Sequence, residues 1–162
     1  MIITDMAQID NMAEQMCGHV PNLIAIDMDD YNSLKAGSSY LNAVQIQMTC
    51  FLHEGIEQFK QAIKEFKTEG AHQVLLQICS ISSALEVHEI RLKEMCMILK
   101  VIEEHFGKNQ IAEKLVLNVT SALDKDFCKN VDIIWGLSHR KSAEIDGCEI
   151  NVIVGYIGEK GE

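Results

Sequence analysis

The apolar residues of this chain change their period within one short stretch. From residue 42 to 50 (NAVQIQMTC) they alternate, with Val44, Ile46, Met48 and Cys50 on one side and Gln45, Gln47 and Thr49 on the other. A β-strand with one covered face produces that pattern, because successive side chains point to opposite faces. Within a few residues the period lengthens. EGIEQFKQAIKEF sets Ile56, Phe59, Ile63 and Phe66 along one stripe, which predicts an amphipathic helix over 54–68. A strand that feeds such a helix implies a sheet with helices packed against it.

The rest of the chain extends the pattern. QVLLQICSIS (73–82) reads as a mostly buried strand, and a long helix is predicted from about Glu86 to Phe106, with Gly107 as its terminator. Residues 109–124 read as helical. The apolar runs 131–138 and 148–157, separated by HRKSAEIDG, read as an antiparallel pair. Near the start, Met6, Ile9, Met12, Ala13 and Met16 fall at helical spacing over 5–17, and IDMDDYNSLKA opens a second helix on polar residues. Four strands and their helices predict an α+β fold: a two-layer sandwich, a four-stranded mixed sheet with helices on one face, in a single domain over 1–162.

Charge and cysteine usage narrow the function classes. The net charge is −10, and Lys and Arg form no cluster beyond pairs such as Arg140-Lys141. Phosphate backbones and anionic lipid repel such a surface, so neither nucleic acid nor membrane is an expected partner. Six scattered cysteines lack a framework spacing, and several inside apolar runs, such as Cys79 and Cys96, read as small buried hydrophobes of a reducing compartment. MIITDMAQID lacks the basic flank and apolar core of a signal peptide, and no apolar run reaches the roughly 20 residues that span a bilayer. The expected location is cytoplasmic.

Several stretches resemble a known family. PNLIAIDMDDYNSL (21–34), QVLLQICSIS, and VDIIWG with EINVIVGYIG in 131–158 resemble, in order, parts of the C-terminal domain of FtsZ, the bacterial tubulin-like cell division protein. Residues 1–20 then correspond to the end of that family's central helix, and 107–130 to an insertion. Nothing resembles its GTP-binding half, and no Gly-rich loop or Walker A motif is present to cradle phosphates. The family's Asn-x-Asp-x-x-Asp motif appears here with Ala25 in place of Asn, followed by Asp27 and Asp30.

The resemblance implies that Asp27 and Asp30 complete the nucleotide site of a neighbouring subunit. Their local reading is a helix N-cap and N3 pair. It also implies that the apolar face of residues 5–17 (Met6, Ile9, Met12 and Met16) either folds back onto the sheet or is covered by a partner, a homodimer being the simplest cover. Cys50-x-x-His53 and Cys17-x-His19 have ligand-like spacing, but each is an isolated pair, so no metal is expected. Nor is a cofactor expected. No Ser-His-Asp arrangement surrounds Ser138-His139. The function implied is a non-catalytic binding module that caps or modulates FtsZ-type filaments. The alternatives are a self-associating structural module unrelated to division and a fragment of a GTP-binding protein.

Overall fold

The computed structural model describes residues 2–18, 22–24, 26–48, 55–82, 92–106, 131–141 and 147–158. The elements run α1 (Met6–Gly18), β1 (Asn22–Ile24), α2 (Met28–Ala36), β2 (Tyr40–Met48), α3 (Ile56–Lys64), β3 (Ala71–Ser82), α4 (Leu92–Phe106), β4 (Asp132–Lys141) and β5 (Gly147–Tyr156). The helix expected over 109–124, the first residues of the long helix, and Cys50, His53 and His19 lie outside the described residues.

The four predicted strands join in one mixed sheet, extended by the short β1, in the order β1-β4-β3-β5-β2. The last two apolar runs do not pair with each other as expected. β3 lies between them, parallel to β4 and antiparallel to β5. The reason is visible in β3 and β5, which occupy the interior of the sheet and carry apolar residues of both parities. A strand buried on both faces gains most from a central position.

Side-chain parity divides the core in two. Val44, Ile46, Met48, Val74, Leu76, Ile78, Ile150, Val152 and Val154 lie beneath Phe59, Ile63, Ile98 and Ile102 of α3 and α4. The opposite parity, Leu41, Ala43, Leu75 and Ile153, packs against Ile9, Met12, Ala13 and Met16 of α1 and Tyr31 and Leu34 of α2. Helices therefore cover both faces in three layers, which corrects the expected helices on one face. In β2 the clean alternation exists only at one end. Leu41 and Ala43 are buried by α1, whereas Gln45 and Gln47 on the same face are exposed.

This arrangement also decides the fate of α1. Ile9, Met12 and Met16 are buried in the chain's own core, and only Met6 stays exposed, at 37%. The helix folds back onto the sheet, the first of its two expected alternatives. It is tied to α2 at one point. The Tyr31 hydroxyl donates to Asp10 Oδ1 at 2.5 Å, and Lys35 Nζ donates to both Asp10 oxygens at 3.0 and 3.2 Å. These bonds, Tyr31's first and Lys35's second, hold the Asp10 carboxyl below its usual range, while burial and then the bond to Asp10 push the Tyr31 hydroxyl up.

Candidate functional site

The face of the sheet under α1 changes character where the helix ends. The row Ala43–Ile153–Leu75–Ile134 is apolar and lies under α1. The next row along the strands is Gln45–Asn151–Gln77–Gly136, and the one after it is Gln47–Glu149–Cys79–Ser138. The boundary is marked by Gln77, whose Nε2 donates to the Met16 carbonyl at the end of α1 at 2.5 Å.

Gln77, Ser138, Glu149 and Asn151 are all buried, which requires partners for their polar atoms. The neighbouring amides supply most of them. Glu149 Oε1 accepts from Gln45 Nε2 at 3.1 Å and from Asn151 Nδ2 at 3.2 Å, and its Oε2 accepts from Gln47 Nε2 at 3.3 Å. Asn151 Oδ1 accepts from Gln45 Nε2 at 2.9 Å, while its Nδ2 also donates to Gln77 Oε1 at 3.3 Å. Three amides thus take the place of water around one carboxylate, and they link β2, β5 and β3 across the sheet. Among the described residues, Ser138 Oγ has no hydrogen-bond partner.

Sequence reasoning missed this ladder. Gln45 and Gln47 read as a solvent face, and Gln77 and Asn151 were absorbed into apolar runs. The available signal was a polar residue inside each of two otherwise apolar central strands.

The ladder reaches solvent at β2, which forms one edge of the sheet. Ile3 forms an isolated antiparallel bridge to Ala43, exchanging both bonds, at 2.7 and 2.9 Å. Antiparallel strands alternate the direction of their backbone groups, so Ala43, Gln45 and Gln47 all point their N–H and C=O groups away from β5. Beyond Ala43, no strand among the described residues pairs with this edge. The Gln47 carbonyl meets Gln58 Nε2 of α3 at 3.5 Å, a long contact. A groove of about 300 Å³ follows this edge, lined by Val44–Gln47, by Gln58, Gln61 and Ala62 of α3, and by Glu65 at its C-cap.

The residues singled out from the sequence fall elsewhere. Asp27 is the N-cap of α2, and its Oδ1 accepts from the Asp30 N–H at 2.9 Å. The Asp30 carboxylate accepts from the Asp27 N–H at 3.1 Å, which completes a capping box. Burial, then the negative charges of Asp27 and Asp30, raise the Cys17 thiol above its usual range. Among the described residues, no group of three or more His, Cys, Asp or Glu is placed to hold a metal ion. None of the described helices is long and apolar enough to cross a membrane.

No protein-family model matches this chain, and no curated protein matches it. Among solved structures it is similar to HypE from E. coli, a hydrogenase maturation protein, at 10% identity and a TM-score of 0.36, over 96% of this chain and 44% of that one. It is similar to thiamine monophosphate kinase (thil) from Aquifex aeolicus at 7% identity and a TM-score of 0.32, over 93% of this chain and 42% of that one. A chain of the HypE–HypF complex matches at 12% identity and a TM-score of 0.34, over 74% of this chain and 34% of that one. The chain spans less than half the length of each of these structures.

These neighbours are not FtsZ or tubulin, and the resemblance to the FtsZ C-terminal domain is corrected accordingly, together with the cell-division role it implied. The stretches that carried it have local physical causes. Asp27 and Asp30 cap a helix, the apolar runs 73–82 and 148–157 are interior strands, and 131–138 belongs to a strand paired with β3.

Proposed function

We propose that this chain is a non-catalytic interaction module that works by self-association. The carrying observation is the part of the β2 edge beyond Ala43, where no strand among the described residues pairs and the backbone of Gln45 and Gln47 faces outward beside the groove under α3. Unpaired strand edges are templates for further strands, and proteins that need to stay monomeric blunt them with Lys, Pro, bulges or very short strands. The opposite edge is β1, only three residues long. β2 has nine residues and contains no Lys, Pro or Gly. The bonds from the Gln45 and Gln47 amides to the buried Glu149 and Asn151 support a structural use of the polar face, because they hold both glutamines from behind.

Sedimentation velocity over a wide range of protein concentration tests the reading. The expected result is reversible, concentration-dependent formation of a dimer. A single monomeric boundary at every concentration would overturn it.

A further inference from the structure

Resting on that reading of self-association, we propose that residues 2–4 form an autoinhibitory strap, which competes with the second copy for the β2 edge. One residue pair holds the strap to the strand. The Ile3 N–H donates to the Ala43 carbonyl at 2.7 Å, and the Ala43 N–H donates to the Ile3 carbonyl at 2.9 Å. The bridge is antiparallel, so Ile2 falls opposite Val44 and Thr4 opposite Asn42. Ile2 packs half-buried against the core under α3 and α4, and Ile3 against the core under α1 and α2, as the alternation of a strand requires. Covering an edge strand in this way is one of the devices that keep it from templating further strands.

The strap decides how much of the edge a second copy can use. Ala43 points its backbone groups outward and the direction alternates, so Leu41, Gln45 and Gln47 point theirs outward too. With the strap in place, Ile2 and Ile3 stand in the path of an added strand, which is left with Gln45 and Gln47. With the strap lifted, the edge is usable along its whole length. β2 runs from Tyr40 to Met48, so its midpoint is Val44. A two-fold axis there sets Leu41 of each copy opposite Gln47 of the other, and Ala43 opposite Gln45. Every outward residue then meets another outward residue, and each pair exchanges both N–H···O=C bonds. The paired edges thereby make twice the bonds that the two straps give up. β2 carries no charged side chain, so no like charges meet along it despite the net charge of −10.

Ile3→Pro tests the strap, because it removes the N–H given to the Ala43 carbonyl and sets a proline ring against the edge. Sedimentation velocity should show the dimer dissociation constant falling roughly tenfold relative to wild type, since association no longer has to break the bridge. Ile2→Ser weakens the hold of the strap without touching its two bonds, and should tighten the dimer by a smaller factor. Ile3→Pro combined with Gln47→Pro is the control for adhesion through the freed isoleucines. Gln47 is exposed and its N–H points outward, so proline there blocks an added strand and leaves the bonds between β2 and β5 in place. The double variant should return to the wild-type affinity or fall below it, with the far-ultraviolet circular dichroism spectrum retained. Single variants that dimerise no more tightly than wild type, or a double variant as tight as Ile3→Pro, overturn the strap while leaving self-association standing. A wild-type protein that is monomeric at every concentration overturns both.

Discussion

Asn151→Asp is the sharpest probe of the amide ladder. The substitution keeps the shape of a fully buried side chain while replacing a donor with an acceptor. Asn151 Nδ2 lies 3.2 Å from Glu149 Oε1 and 3.3 Å from Gln77 Oε1, so the new carboxylate oxygen faces two acceptors. Two charges about 4 Å apart at an effective dielectric of about 20 repel by roughly 4 kcal/mol. Protonation limits this cost. Holding one carboxyl neutral at pH 7 costs about 4 kcal/mol, and at pH 5 about 1.5 kcal/mol, for an ordinary pKa near 4. Repulsion raises the folded-state pKa of the introduced carboxyl above its unfolded value. The folded variant therefore binds more protons than the unfolded one as pH rises past about 4, and stability relative to wild type falls with increasing pH. Urea unfolding followed by circular dichroism should show a loss of about 4 kcal/mol at pH 7 that shrinks to less than half at pH 5. A loss below about 1 kcal/mol and equal at both pH values would refute the ladder, since a change in packing alone has no such pH dependence.

Two further substitutions probe the helices. Tyr31→Phe removes the bond from its hydroxyl to Asp10 and should cost about 1–2 kcal/mol, discounted for the half-exposed carboxylate. The Asp10 carboxyl should move back up toward its ordinary value, visible by carbon-detected NMR titration. The contribution of a lowered carboxyl is present above the unfolded pKa and is lost as pH falls through the folded one. An unchanged Asp10 titration would contradict the assigned cause. Asp27→Ala opens the capping box of α2 and should cost about 1 kcal/mol in thermal or urea unfolding, with the far-ultraviolet spectrum retained. A variant as stable as wild type would mean that the cap contributes nothing.

Much of the secondary structure was legible because it is written in local periods. The alternation at 42–50 and the stripe at 56–66 are consequences of side-chain geometry within one element. They located β2 and α3 to within a few residues. The acidic start of α2 was legible for the same reason, since a capping box spans only four residues. The resemblance built on these pieces failed because local physics makes the same short patterns in unrelated chains. Apolar strands and acidic helix starts carry little information about which strands become neighbours.

What the sequence alone determined is therefore most of the described elements, β1 excepted, with the alternative local roles of Asp27 and Asp30. The tertiary structure decided the rest. It inserted β3 between β4 and β5, laid α1 across half of one face, and left Gln45 and Gln47 with their side chains on a buried carboxylate and their backbone at an edge of the sheet. Those outcomes depend on contacts between residues far apart in the chain, Gln45 with Asn151 and Gln77 with Met16 among them. A residue's own neighbours fix which way its side chain points. Only the packing of distant elements fixes what it meets there.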